Sequence, residues 1–476
     1  MRRGRFLRAG TSMAVAALAP AGARAAGAAV VDYTLTARSF AWRAAPGVTT
    51  TAFGYDGQVP GPLLRVTHGQ RVRVRYVNRC GEPTSIHWHG MILPNAMDGV
   101  AGITQPAVEN GGTFEYEFAP GPPGTRWYHD HAGPTAVIRG LFGMFVVEDP
   151  RDEPADAEFS VVLHDVARLP SIDAAMHGTS DAPMLDPMDS PEMTAMHPGD
   201  RMGDEVAYAA HAINGATYPQ TKPLIVRVGQ RVRLRVLNAN QTQTRYVRLA
   251  GHPLLVTHAD GNPLQTPVSV DILRLGVAER LDAWFEVRQP GAWLLHALTS
   301  DPLSFEQAVL VCTPGMEHAS PLTDASTLGG ATTFTYPLAG APGTSHFVDP
   351  SSAIRKQYVL EGGDYASMRW TMNDQVWPHT EKILVRRGDD VVVRFTNNAD
   401  MDHPMHLHGH TFELVEFGGR ALRRPLAKDT TLVPANGGTV AWRFRATSPP
   451  GRWLLHCHNQ IHMMDGMMTE VVYRGP

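Results

Sequence analysis

Alternation of apolar and polar residues with a period of two, broken every few positions by glycine or proline, runs through most of this 476-residue chain. Leu64 to Thr67 passes over Gly69 into Arg71-Val72-Arg73-Val74-Arg75 and ends at Asn78. Successive side chains of an extended segment point to opposite faces, so this run predicts a half-buried strand after a glycine turn. The same run recurs as Ile225 to Asn238 around Gly229 and as Leu384 to Asn397 around Gly388. From glycine to asparagine is nine residues each time, and the glycines lie 160 and 159 residues apart. A second repeated feature follows late in each unit: Pro123-Gly124 before Trp127, Pro290-Gly291 before Trp293, Pro450-Gly451 before Trp453. Strands with frequent turns, no long helical period and a threefold repeat predict an all-β protein of three β-sandwich units. The expected units are 30–150, 157–316 and 345–476, with an Ala/Gly/Thr/Pro-rich linker at 317–344.

The repeat also aligns the histidines. Eighteen residues after Gly69 and Gly388 stand His87-Trp88-His89 and His406-Leu407-His408, whereas the middle unit has Val247-Arg248-Leu249 there. Five residues after the Pro-Gly glycine stand His129-Asp130-His131 and His456-Cys457-His458; the middle unit has His296-Ala297-Leu298. An isolated H-x-H motif is weak evidence. Four at repeat-equivalent positions of the outer units predict eight imidazoles converging where those units face one another. Imidazole serves copper, zinc and iron alike.

The last motif narrows the choice. In His456-Cys457-His458-Asn459-Gln460-Ile461-His462, followed by Met467, the alternation of an extended segment sends His456 and His458 to one face and Cys457 to the other. Cys457, His462, a third imidazole and the soft thioether of Met467 make the donor set of a blue-copper electron-transfer site. A structural zinc site is a closed tetrahedron of four ligands. Eight histidines beside a Cys/His/Met set require several ions, and the paired sulfur donors favour copper.

On these motifs the chain resembles the three-domain multicopper oxidases, which include laccases and periplasmic copper-resistance oxidases. The resemblance covers essentially the whole chain after its first residues. It implies three cupredoxin-like Greek-key domains and four copper ions. It also implies coupling of four one-electron substrate oxidations to reduction of O2 to water. Carried over by position, it implies His403, Cys457 and His462 as type 1 ligands with Met467 axial, and His87 and His406 as the type 2 pair. It further implies one type 3 copper on His89, His129 and His458 and the other on His131, His408 and His456. His456 and His458, covalently joined through Cys457, form the implied electron path. Asp98, in Met97-Asp98-Gly99, resembles the family's acidic residue near the cluster, a proton donor. Several relatives carry a carboxylate beside the type 1 histidine; this chain has Gln460, Ile461 and Met463 there, with Asp465 as the nearest acid.

Composition adds the setting. Apolar residues make up 43% and charged residues 18%, the formal charge is −4, and there is no basic stripe of the kind that binds nucleic acid. Three cysteines give no disulfide framework; Cys80 and Cys312, with no histidine beside them, read as buried thiols. Residues 1–25 read as a twin-arginine-like export signal: Arg2, Arg3, Arg5 and Arg8, an Ala-rich run, then Ala23-Arg24-Ala25. No later run reaches the roughly 20 apolar residues of a membrane span. A monomeric periplasmic protein is expected.

The reductant is addressed by 170–205. Met176, Met184, Met188, Met193, Met196 and Met202, six of 20 methionines, fall there among Pro, Asp and Ser, with His177 and His197. Thioethers select Cu(I), so this reads as a loop that captures the substrate of a cuprous oxidase. A laccase-like phenol oxidase and a non-catalytic copper-sequestering protein are the alternatives. Met401, Met405, Met463, Met464 and Met468 cluster around the type 1 residues and either pass Cu(I) inward or pack a wall around the copper. His410 extends its motif out of step and reads as a neighbour of the ligands.

Overall fold

A computed structural model describes residues 30–133, 135–167, 208–298, 306–323, 330–343, 350–362 and 369–475. The export signal and the methionines at 176–202 lie outside the described residues. The fold is nearly all β. Six sheets form three pairs, and each pair draws its strands from one stretch of chain. In the first, a sheet ordered Val48–Tyr55, Val30–Ala45, Arg71–Arg79, Thr113–Phe118 faces one ordered Leu64–Thr67, Phe142–Glu148, Gly124–His129, His87–His89. The last pair opposes a six-stranded sheet to a five-stranded one ordered Ile383–Val385, Met468–Tyr473, Arg452–Cys457, His403–Leu407, Thr430–Val433. These are the β-sandwiches that the alternation predicts, in the cupredoxin-like form that the resemblance implies.

The repeated strand after each glycine turn lies inside its sheet. Val30–Ala45 pairs in parallel with Arg71–Arg79, Ala157–Ala167 with Arg231–Asn238, and Ile354–Glu361 with Asp390–Asn397. Its apolar face is buried: Val72, Val74 and Tyr76 in the first unit, Val391, Val393 and Phe395 in the third. The asparagine that ends each strand is a buried staple. Asn78 Nδ2 donates to the carbonyls of Glu82 and Val108, Asn238 Nδ2 to Gln243 and Leu275, and Asn397 Nδ2 to Met401 and Val433. Each amide closes the loop that follows its strand, and in the third unit that loop leads to His403.

Among the described residues no helix is long and apolar enough to cross a membrane. Cys80, Cys312 and Cys457 are all buried free thiols.

Candidate metal centre

Register brings the motifs together. In the first unit His87–His89 pairs antiparallel with Gly124–His129, setting His87 opposite His129. In the third, Met405 lies opposite Cys457 and His406 opposite His456. The middle unit has the same ladder, with Val247 opposite Ala297 and Arg248 opposite His296, and among the described residues no donor group forms there. The outer units meet along these edges. His87 stacks on His408 with ring centroids 3.8 Å apart, and His89 on His406 at 3.7 Å.

Four groups of three result, each with its donor atoms within 4.8 Å of one another: His87/His89/His406, His89/His129/His458, His131/His408/His456 and His403/Cys457/His462. Asp98 makes a fifth group with His87 and His408. The strand of the last motif stops at Cys457, and His462 sits instead on a short helix, Gln460–Met464, whose cap Asn459 accepts from Ile461 N. That turn brings His462 back, so its Nδ1 lies 3.5 Å and that of His403 3.7 Å from Cys457 Sγ. Met467 is fully buried, and its carbonyl accepts from Cys457 N.

Six of the eight rings are oriented by their second nitrogen. His87 Nδ1 bonds Asp98 O, His129 Nδ1 bonds Asp130 O, His406 Nδ1 bonds Asp429 O and His456 Nδ1 bonds Cys457 O. His408 Nδ1 bonds the Asp98 carboxylate at 2.8 Å. These rings therefore turn Nε2 inward, and the Nε2 atoms of His408 and His456 approach to 2.9 Å. His89 is reversed: its Nε2 bonds Asp429 Oδ1 at 3.1 Å and Thr430 Oγ1 at 3.2 Å, leaving Nδ1 to face the cluster.

Copper fits this arrangement. The inward atoms His87 Nε2, His89 Nδ1, His129 Nε2, His131 Nε2 and His406 Nε2 are buried with no hydrogen-bond partner among the described residues. Buried polar atoms left unpaired are costly. Five unpaired nitrogens facing one space call for an electrophile to share. Burial, reinforced by neighbouring rings, holds the His89, His129, His131, His406 and His408 pKa values well below the usual imidazole range. His456 falls to about 4 by burial. The rings are thus neutral, the form that ligates metal.

Several participants carry no sequence signal. Asp429 holds His89 and takes a bidentate ion pair from Arg280, with a further contact from Arg126 Nη1 at 3.4 Å. Burial opposes its ionisation, but Arg280, Arg126 and Lys428 outweigh that and keep its pKa low. Trp127 packs over His129 at 4.3 Å, and Trp370 over His462 at 3.7 Å. Trp127 follows Pro123-Gly124 by one residue more than Trp293 and Trp453 follow their Pro-Gly pairs, and that loose repeat was its one available clue. His410 bonds the His408 carbonyl and Tyr473 Oη and joins no cluster. The methionines divide: Met401 and Met405 are core residues, whereas Met463, Met464 and Met468 line a cleft of ≈ 400 Å³ that reaches His129, His131, His456 and His458.

Fold and site define a copper-binding protein built of paired sheets, with a cysteine-sulfur centre joined through its own backbone to a nest of histidines. Models of the multicopper oxidase family match residues 37–152, 186–310 and 348–475. The chain is 33% identical over 450 residues to multicopper oxidase MmcO of Mycobacterium tuberculosis, covering 90% of this chain and 84% of that protein. It is 27% identical to a copper resistance protein A homolog of Pseudomonas syringae pv. tomato, covering 89% of each. A crystal structure of a multi-copper oxidase from Pseudomonas Thermotolerans superposes with TM-score 0.69 at 27% identity, covering 94% of this chain and 100% of that one. The chain belongs to the multicopper oxidase family: it is an oxidoreductase with copper as cofactor and oxygen as acceptor.

Proposed function

We propose that this enzyme is an exported, periplasmic cuprous oxidase serving copper tolerance. Four Cu(I) ions, four protons and one O2 give four Cu(II) ions and two waters, so each substrate ion surrenders one electron. The observation that carries the reading is the place of Cys457: its sulfur belongs to one donor group, while its covalent neighbours His456 and His458 belong to two others.

Under this reading His403, Cys457 and His462, with Met467, would hold the type 1 copper. His87 and His406 hold the type 2 ion. His89, His129 and His458 hold one type 3 copper, and His131, His408 and His456 the other. When bound, copper supplies one-electron chemistry at the first site and O2 binding and reduction at the other three. The chain supplies the rest. His87, His89, His129, His406, His408 and His456, fixed through their second nitrogens, keep the donor geometry ready before metal arrives. Asp98, held by His408 Nδ1 at 2.8 Å and His87 Nδ1 at 3.3 Å, is placed to hand protons to the cluster. The cleft beside His129 and His131 gives a small molecule a way in. Residues 30–150, 157–316 and 345–476 are the three domains, and 1–25 the export signal.

Cu(I) as substrate is supported by the six methionines at 176–202, whose thioethers suit that ion, and by relatives named for copper resistance. Oxygen uptake with Cu(I) and with a phenol, measured for the whole chain and after deletion of 176–202, tests the assignment. The deletion is expected to lower the Cu(I) rate and spare the phenol rate. An unchanged Cu(I) rate rejects the role of the methionines, and a phenol rate far above the Cu(I) rate favours a laccase-like phenol oxidase. Cys457→Ser is expected to abolish oxygen uptake; continued uptake rejects the site assignment, and copper binding without any wild-type uptake indicates sequestration.

A further inference from the structure

We infer that Trp370 determines which reductants this oxidase accepts, by sealing His462 against direct contact with aromatic molecules. The inference rests on His403, Cys457 and His462 being the electron-accepting site. Both imidazoles and the cysteine are 0% exposed, and Trp370 itself is 3% exposed. The indole lies over His462 with ring centroids 3.7 Å apart and planes at 26°, and meets His403 edge-on at 5.5 Å and 77°. One aromatic ring thus covers one ligand and flanks the other.

The cover is built in. Trp370 precedes the short strand Thr371–Met372, which pairs with Ile354–Glu361 in the opposite sheet from the ligand strands. Gly362, just after that partner strand, makes room for it: a Cβ there would come 2.2 Å from Trp370 Cε3. The backbone on the other side closes too, because Trp370 N approaches Asp465 O, immediately after the helix that carries His462. The indole is therefore gripped between the two sheets of one unit.

The consequence is steric and selective. An aromatic reductant gains by stacking on an imidazole or hydrogen-bonding to it, and at His462 the stacking position is already filled by a ring at contact distance. A phenol must therefore donate from beyond the indole. A small ion needs no such face and loses nothing, since an electron can pass through a ring in van der Waals contact. The cover discriminates by occupying space, the means by which buried sites reject the wrong partner.

The test uses the copper-loaded full chain. Trp370→Ala is expected to raise the ratio of kcat/KM for a methoxyphenol to that for Cu(I) by about tenfold or more, with Trp370→Leu and Trp370→Phe between it and the wild type. Benzamide, which the enzyme cannot oxidise, is expected to perturb the blue thiolate band of Trp370→Ala and not that of the wild type. Gly362→Ala, which displaces the indole without removing it, is expected to act in the same direction. A ratio within about twofold of wild type in every variant that keeps the blue band, with no benzamide response, overturns the inference. Failure of the underlying site assignment shows differently, as a blue band that survives Cys457→Ser.

Discussion

At the scale of single residues, the orientation of the histidines is set by what their outward nitrogens touch, and two carboxylates stand out. Asp98 bonds His408 and contacts His87, so one side chain from the first unit grips a ring of the third. Asp98→Asn keeps a hydrogen-bonding group there and removes the acid. It is expected to leave copper content unchanged while lowering kcat by about 10²-fold with saturating reductant, the usual worth of a positioned proton donor. A copper-replete variant with wild-type kcat would assign Asp98 to orientation alone. Asp429 acts on His89 instead. By accepting from Nε2 it fixes the tautomer that leaves Nδ1 unprotonated and inward. Asp429→Asn lets the side-chain amide donate to Nε2 and favours the opposite tautomer. The expected result is loss of copper from the histidine clusters, with affinity down about 10- to 100-fold and the blue band retained, read by elemental analysis beside the visible spectrum. Asp98 was legible at Met97-Asp98-Gly99 through the family resemblance, whereas Asp429 carries no motif, since it meets His89 across 340 residues of chain.

At the scale of elements, the legible part of the site was the part with a period. The H-x-H pairs fell into place because strand alternation puts both histidines of a motif on one face, and the repeat shows which strands stand opposite. The residue after a motif was legible only in hindsight. Gly90 has φ +79°, and a Cβ on it would lie 2.5 Å from Asp429 Oδ2 and 2.7 Å from Arg280 Nη2. Both neighbours are locked in an ion pair and cannot give way. Gly90→Ala is therefore expected to cost about 2 kcal/mol or more in stability, from the left-handed backbone and the clash together. It should also deplete histidine-bound copper, because the clash pushes Asp429 off His89. Thermal midpoints and copper content of Gly90→Ala beside Gly81→Ala, at a glycine of φ +93° with nothing within 4 Å, separate the clash from the backbone effect. Equal losses in the two variants would remove the clash from the account. The helix Gln460–Met464 was missed altogether: five residues are too few to show a helical period, and only Asn459 as a cap marks it.

At the scale of the whole molecule, the middle unit has no copper motif and yet fixes the distance between the two units that do. Arg126 of the first, Asp260 and Arg280 of the middle, and Lys428 and Asp429 of the third form one buried ionic cluster, in which Lys428 Nζ lies 2.9 Å from Asp260 and 2.8 Å from Glu279. Such a cluster adds little net stability over apolar packing, but losing one member leaves buried charge without a partner, at about 3–5 kcal/mol. The pH dependence of stability is expected to have another source. Burial raises the pKa of Asp282, but Arg235 and Arg233 outweigh it and hold the carboxylate at about 2, so that group keeps its charge through mildly acidic conditions. His164 behaves oppositely. It is buried in the middle unit, its Nε2 accepts from Gly215 N, and burial lowers its pKa from 6.5 to about 4. The unfolded chain therefore binds this proton before the folded one does, so stability falls as pH drops from about 6.5 towards 4. Over that window the single ring accounts for roughly 3 kcal/mol. His164→Gln keeps an acceptor for Gly215 N and cannot titrate. Its thermal midpoint is expected to lie near the wild type's at neutral pH and above it near pH 4, with the gap opening below about 6.5. A midpoint difference independent of pH across that range would mean that His164 titrates alike in the folded and unfolded chain.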